Sequence, residues 1–86
     1  MEGAARMEAL AAKEKVVGLK QVRRAVASGK VRKVYLACDA DPALTEPLLA
    51  LCRERGVEAD GTLTMQQLGR ICGIAVPAAA AAVVAQ

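Results

Sequence analysis

The apolar end of the chain limits its fold more than any other feature. From Ile74 to Ala85 no side chain is polar or charged. A bilayer span needs about 20 such residues, so this run is too short to cross a membrane, and Pro77 interrupts it. No Gly or Pro follows Pro77. Residues 78–85 therefore read as a central strand. Its small Ala side chains let helices come close on both faces.

The preceding residues supply those helices. Residues 4–15 are rich in Ala, Glu and Lys, the best helix formers. Val16 and Val17 form a very short strand, and Gly18 breaks the pattern. From Leu19 to Ser28 a second helix follows, with Leu19, Val22, Ala25 and Val26 at helical spacing. Gly29 stands where a helix ends in the left-handed region. Val31–Cys38 alternates as a strand, with Val34 and Leu36 on one face and Tyr35 and Ala37 on the other. Asp41 is a good N-cap and Pro42 a good first helical residue, so a third helix runs to Arg55, with Leu44, Leu48, Leu51 and Cys52 inward. Pro47 inside it loses a hydrogen bond and crowds the preceding turn, which predicts one turn at Pro42 and a restart near Thr45. Val57–Asp60 is a short strand. Thr64-Met-Gln-Gln67 has the form of a capping box and opens a fourth helix, with Leu68, Ile71 and Cys72 inward. Helix and strand thus alternate four times. This alternation predicts a three-layer α/β/α sandwich with a small mixed sheet. Residues 1–86 are expected to form one domain, because a chain this short holds no more.

Composition narrows the function. Tyr35 is the only aromatic residue, so bases cannot be stacked on a sheet face studded with aromatic rings. The chain has no His, which removes the commonest general base and metal ligand. Cys38, Cys52 and Cys72 are odd in number and widely spaced. They fit buried apolar side chains in a reducing compartment better than a disulfide framework or a metal site. Met1–Ala12 has charges scattered among its alanines and no apolar core of a targeting signal. A cytoplasmic protein is expected.

Charge is unevenly placed. Lys13, Lys15, Lys20, Arg23, Arg24, Lys30, Arg32 and Lys33 crowd one segment that holds a single acid, Glu14. That segment carries +7 and the remainder −4. A basic segment on an acidic body suits a polyanion; it also suits a plain solvated helix face. Gly18-Leu-Lys-Gln-Val-Arg-Arg24 lies at a helix start, where unpaired N–H groups and the positive end of the dipole attract anions. Lys20 and Arg24 are four apart and share a face. Asp39 and Asp41 could bind Mg²⁺ or act as acid and base, but no third ligand accompanies them and capping accounts for Asp41. No catalytic residue, metal or cofactor is expected. Gly73-Ile-Ala-Val-Pro77 is an apolar loop, either a buried turn or an exposed lip.

Three blocks together resemble the kink-turn-binding ribosomal-protein family, which includes archaeal and eukaryotic large-subunit ribosomal proteins and small bacterial relatives. They are Gly18–Arg24, Val34–Pro42 and Leu68–Ala78, in order and on the expected elements. The resemblance implies an α/β/α sandwich that binds RNA sharply bent at a short bulge flanked by tandem sheared G·A pairs. It implies that Gly18, with Leu19 beside it, meets the RNA backbone. Lys20 and Gln21 would read guanine edges in the widened major groove, and Arg24 would pair with phosphate. Asp41 would lie near the base flipped out of the bulge, under an apolar lip of Ile74, Ala75 and Val76. Lys20 and Gln21 stand where better-known members carry Asn and Glu, which looks like the bacterial branch. Met65 stands where Lys is common, and Ala75 where many relatives carry a charge. The implied partners are structured RNAs such as ribosomal RNA or a riboswitch, bound by a monomer that can associate with the ribosome. Two other readings compete: a ribosome-associated or scaffold module docking through its apolar loop, and a thiol enzyme using Cys38 or Cys72.

Overall fold

A computed structural model describes residues 15–84. The helix expected over 4–15 lies outside them except for Lys15, which belongs to a strand. The elements are β1 (Lys15–Val17), α1 (Leu19–Ala27), β2 (Val31–Leu36), α2 (Pro42–Arg55), β3 (Glu58–Asp60), α3 (Met65–Ile71) and β4 (Ala80–Val84). The sheet runs β1-β4-β2-β3. β4 is antiparallel to both its neighbours, β1 and β2, while β2 and β3 are parallel. The expected mixed sheet and α/β/α layering are therefore present.

Two apolar clusters flank the sheet. On one face Val22 and Val26 of α1 and Leu48 and Cys52 of α2 meet Val34, Leu36, Ala80 and Ala82. On the other, Leu68 and the adjoining Cys72 meet Tyr35, Ala78 and Ala81. Ala80, Ala81 and Ala82 are wholly buried between the layers. A larger side chain there would force the helices away, as overpacking does in any dense core. The period-two alternation of β2 sends Val34 and Leu36 to the first cluster and Tyr35 to the second.

The predicted caps are present. Asp41 Oδ1 accepts from the Ala43 N–H at 3.0 Å. Thr64 and Gln67 close a reciprocal capping box: the Gln67 N–H donates to Thr64 Oγ1 at 3.1 Å and the Thr64 N–H to Gln67 Oε1 at 3.0 Å.

Several expectations are corrected. α2 is continuous through Pro47. The carbonyl that Pro47 leaves without a helical donor is that of Ala43, and both residues are exposed, so the carbonyl is open to solvent and its lost bond costs little. Leu44 is 55% exposed rather than inward. It stands on the first turn of α2, which faces the start of α1 across a groove instead of facing the sheet. β3 begins at Glu58 because the Val57 N–H closes the end of α2 on the Cys52 carbonyl. β4 begins at Ala80 because the Ala78 N–H is held by the Met65 carbonyl at 3.0 Å.

Cys38 is exposed, whereas Cys52 and Cys72 are buried. Cys38 lies beyond β2, in a turn where strand alternation no longer applies. Burial pushes the Cys52 thiol up, and burial does the same to Cys72 against a smaller opposing effect of the Lys15 charge. Both therefore hold less thiolate than a free cysteine at any given pH. Iodoacetamide on the native protein should label Cys38 quickly and reach the other two only on unfolding. Rapid labelling of two or three thiols, read by mass spectrometry, would contradict this packing.

Candidate nucleic-acid interface

One end of the sheet collects the residues of interest. There lie the carboxyl ends of β1, β2 and β3 and the amino end of β4, as the register Val17↔Ala81, Leu36↔Ala80 and Tyr35↔Asp60 requires. Three segments leave from that end. The first is the Gly18–Arg24 start of α1, the second the Cys38–Asp41 corner between β2 and α2, and the third the loop 73–79 between α3 and β4.

At the first segment Gly18 has φ +103°, a value that a residue with a Cβ adopts only under strain. No atom lies within 4 Å of the place where a Cβ would stand, so backbone conformation alone demands Gly. The Gly18 N–H donates to the Ala80 carbonyl at 2.8 Å and is not available to a ligand. The N–H groups left without helical partners are those of Leu19, Lys20 and Gln21. No acidic side chain occupies this first turn, so the positive end of the dipole is not offset there. Val22 and Val26 are buried, Leu19 packs partly on the core, and Lys20, Gln21 and Arg24 are exposed.

The corner is built from two carboxylates with separate tasks. Asp41 caps α2 through Oδ1 and is exposed. Asp39 Oδ1 accepts from the Met65 N–H at 2.8 Å, across 26 positions of chain. It thereby ties the corner to the start of α3. Sequence reasoning gave Asp39 no such part, since nothing local announces a bond between distant segments. Each carboxylate thus has a structural use, and among the described residues no three metal-ligating side chains converge.

The third segment is an exposed lip. Ile74 is 37% and Val76 62% exposed, and Ala75 is exposed as well. The lip is fastened at both ends: the Ile74 N–H donates to the Gly69 carbonyl at 3.1 Å and the Ala78 N–H to the Met65 carbonyl. Between these points it lies directly on Gly69. A Cβ at Gly69 would overlap the Val76 carbonyl oxygen and stand 3.2 Å from Pro77 Cα. A glycine inside a helix marks such a close approach. Gly69, inside a helix of otherwise good helix formers, is the one sequence feature that announces it. Between lip and α3 opens a pocket of about 370 Å³, lined by Asp39, Met65, Gln66, Arg70 and Ile74–Pro77. Lys20 lines the groove on the other side of the corner with Ala43 and Leu44. The corner thus stands between the basic helix start and the apolar lip.

Comparison with known proteins identifies the family and the fold. The sequence pattern described as the ribosomal protein L7Ae/L30e/S12e/Gadd45 family matches residues 3–86. The chain belongs to that family. Within the L7Ae-type family it is 44% identical over 69 residues to an RNA-binding protein of Caldanaerobacter subterraneus subsp. tengcongensis, covering 80% of this chain and 84% of the relative. It is 38% identical over 68 residues to the RNA-binding protein YbxF of Geobacillus stearothermophilus, covering 79% and 83%. Among solved structures, the 15.5 kD RNA-binding protein of Giardia lamblia superposes with a TM-score of 0.84 at 26% identity, covering 93% of this chain and 68% of that one. The L7Ae-type fold therefore accounts for the sheet order and the layering.

Proposed function

We propose that this chain is an RNA-binding protein without catalytic chemistry, which recognises a kink-turn and stabilises its bent form. The observation that carries this reading is the gathering of three segments at one end of the sheet: an uncapped basic helix start, a carboxylate corner and an apolar lip. The names of its relatives as RNA-binding proteins support it. Gly18 lets the RNA backbone close on α1, beside the N–H groups of Leu19, Lys20 and Gln21. Lys20 donates to guanine O6 and N7. The Gln21 amide accepts from a guanine amine without the charge of a carboxylate, so that contact is weaker than a Glu would make. Arg24 pairs with phosphate. The lip of Ile74, Ala75 and Val76 receives the base flipped from the bulge, with Asp41 near it at the corner. The protein binds the kinked RNA better than the extended form and so shifts its population. A monomer acting in the cytoplasm on ribosomal RNA or a riboswitch fits this reading, as does association with the ribosome.

The test is a fluorescence-transfer titration at fixed salt. A kink-turn duplex labelled at both ends is compared with a fully paired duplex of equal length. Transfer should rise with protein in the kink-turn alone. If neither duplex responds, kink recognition is wrong, and the exposed Ile74 and Val76 become a protein-docking surface whose affinity should vary little with salt.

A further inference from the structure

Charge is distributed between the two halves of this interface in an unequal way. The α1 half carries Lys20, Arg23 and Arg24. The lip half, with α3 and the turns around it, spans residues 61–78 and contains one charged side chain, Arg70. Met65 and Ala75, which face the same pocket, are uncharged. Arg70 is exposed, lines that pocket, and forms no ion pair among the described residues.

We propose that Arg70 is a further RNA contact, which pairs with the backbone phosphate of the nucleotide whose base enters the lip pocket. This rests on the RNA-binding reading above. Met65, Ile74, Val76 and Pro77 form apolar walls suited to the face of a base, and Gln66 and Asp39 supply hydrogen-bonding groups at its edge. The Asp39 carboxylate disfavours a phosphate inside the pocket by like-charge repulsion, so the base enters and the phosphate stays at the rim. A sharp bend crowds phosphates together, and Arg70 is the one cation that residues 61–78 offer them. A guanidinium matches a phosphate with paired N–H donors. A plain alternative gives Arg70 the task of facing the carboxyl end of α3, where cations are favoured. The two differ in what they affect, since a helix-end charge changes stability and a phosphate contact changes the salt dependence of binding.

The experiment measures affinity for kink-turn RNA from low to moderate salt for the wild type, Arg70→Ala, Arg70→Lys and Lys20→Ala, with thermal melting of each protein. Arg70→Ala should bind roughly fivefold more weakly, with the slope of log affinity against log salt reduced by about 0.7–0.9 for one lost phosphate contact. Arg70→Lys should keep the wild-type slope, and melting should stay unchanged. If Lys20→Ala weakens binding but Arg70→Ala keeps wild-type affinity or wild-type slope, the Arg70 contact is wrong and the RNA reading stands. If neither substitution changes the affinity, both the Arg70 contact and the Lys20 contact are wrong; if the wild type itself does not bind the kink-turn RNA, the RNA reading is wrong.

Discussion

Gly69→Ala should unseat the lip. In an exposed helix this substitution would stabilise by about 1 kcal/mol. Here the added Cβ meets the Val76 carbonyl and Pro77 Cα. Both are backbone atoms and cannot rotate aside as a side-chain tip can. Either the loop lifts or α3 moves off Tyr35 and Ala81, and the bonds from Ile74 to Gly69 and from Ala78 to Met65 strain in either case. Overpacking of this kind costs about 1–3 kcal/mol, which in a domain of this size lowers the melting temperature by several degrees. Binding to kink-turn RNA should fall by about tenfold or more, since a displacement worth 1.4 kcal/mol at the contact is already tenfold. Binding to a paired duplex, led by α1, should change far less. Glu54→Ala, at an exposed position of α2 outside the interface, serves as the control for helix substitution. Unchanged melting and unchanged kink-turn affinity in Gly69→Ala would show that the loop is not seated on this glycine.

The same contact shows where local reasoning reaches its limit. Elements governed by neighbours in sequence were legible. The Asp41-Pro42 start of α2, the Thr64–Gln67 capping box and the alternation of β2 are decided within a few residues and stand as expected. The alanines of β4 were legible for a different reason: only a strand enclosed on both faces makes use of so many small apolar side chains. Features decided by distant segments were not. The bond from Met65 to Asp39 and the seating of Val76 on Gly69 join residues that sequence spacing does not connect. Pro47 misled because its lost hydrogen bond costs little where water reaches the carbonyl. Leu44 misled because helical periodicity gives a stripe but not how far along the helix the sheet extends. For the interface, helix spacing placed Lys20 and Arg24 on one face. The roles assigned to them came from the family resemblance, and the fold adds that the corner and lip share their end of the sheet.

Those roles predict different losses for the two cations of α1. Both side chains are exposed and lie away from the buried Val22 and Val26, so neither truncation opens a cavity and melting should hold. Arg24→Ala removes a phosphate partner. Its affinity should fall for all RNAs alike, with the salt slope reduced by about 0.7–0.9. Lys20→Ala removes a donor to guanine, and a good base contact is worth about 1–3 kcal/mol of discrimination. Its loss should fall on selectivity: the preference for a bulge flanked by G·A pairs, over one flanked by Watson–Crick pairs, should shrink roughly tenfold. The double variant should lose on the order of a hundredfold, near the sum of two charge-assisted hydrogen bonds at about 1.5 kcal/mol each. Additivity is expected only if the two residues touch separate groups on the RNA. A double variant no weaker than the poorer single variant would mean that both cations serve one phosphate, and that Lys20 reads no base. Wild-type affinity in both single variants would remove the start of α1 from the interface and leave the corner and lip to carry recognition.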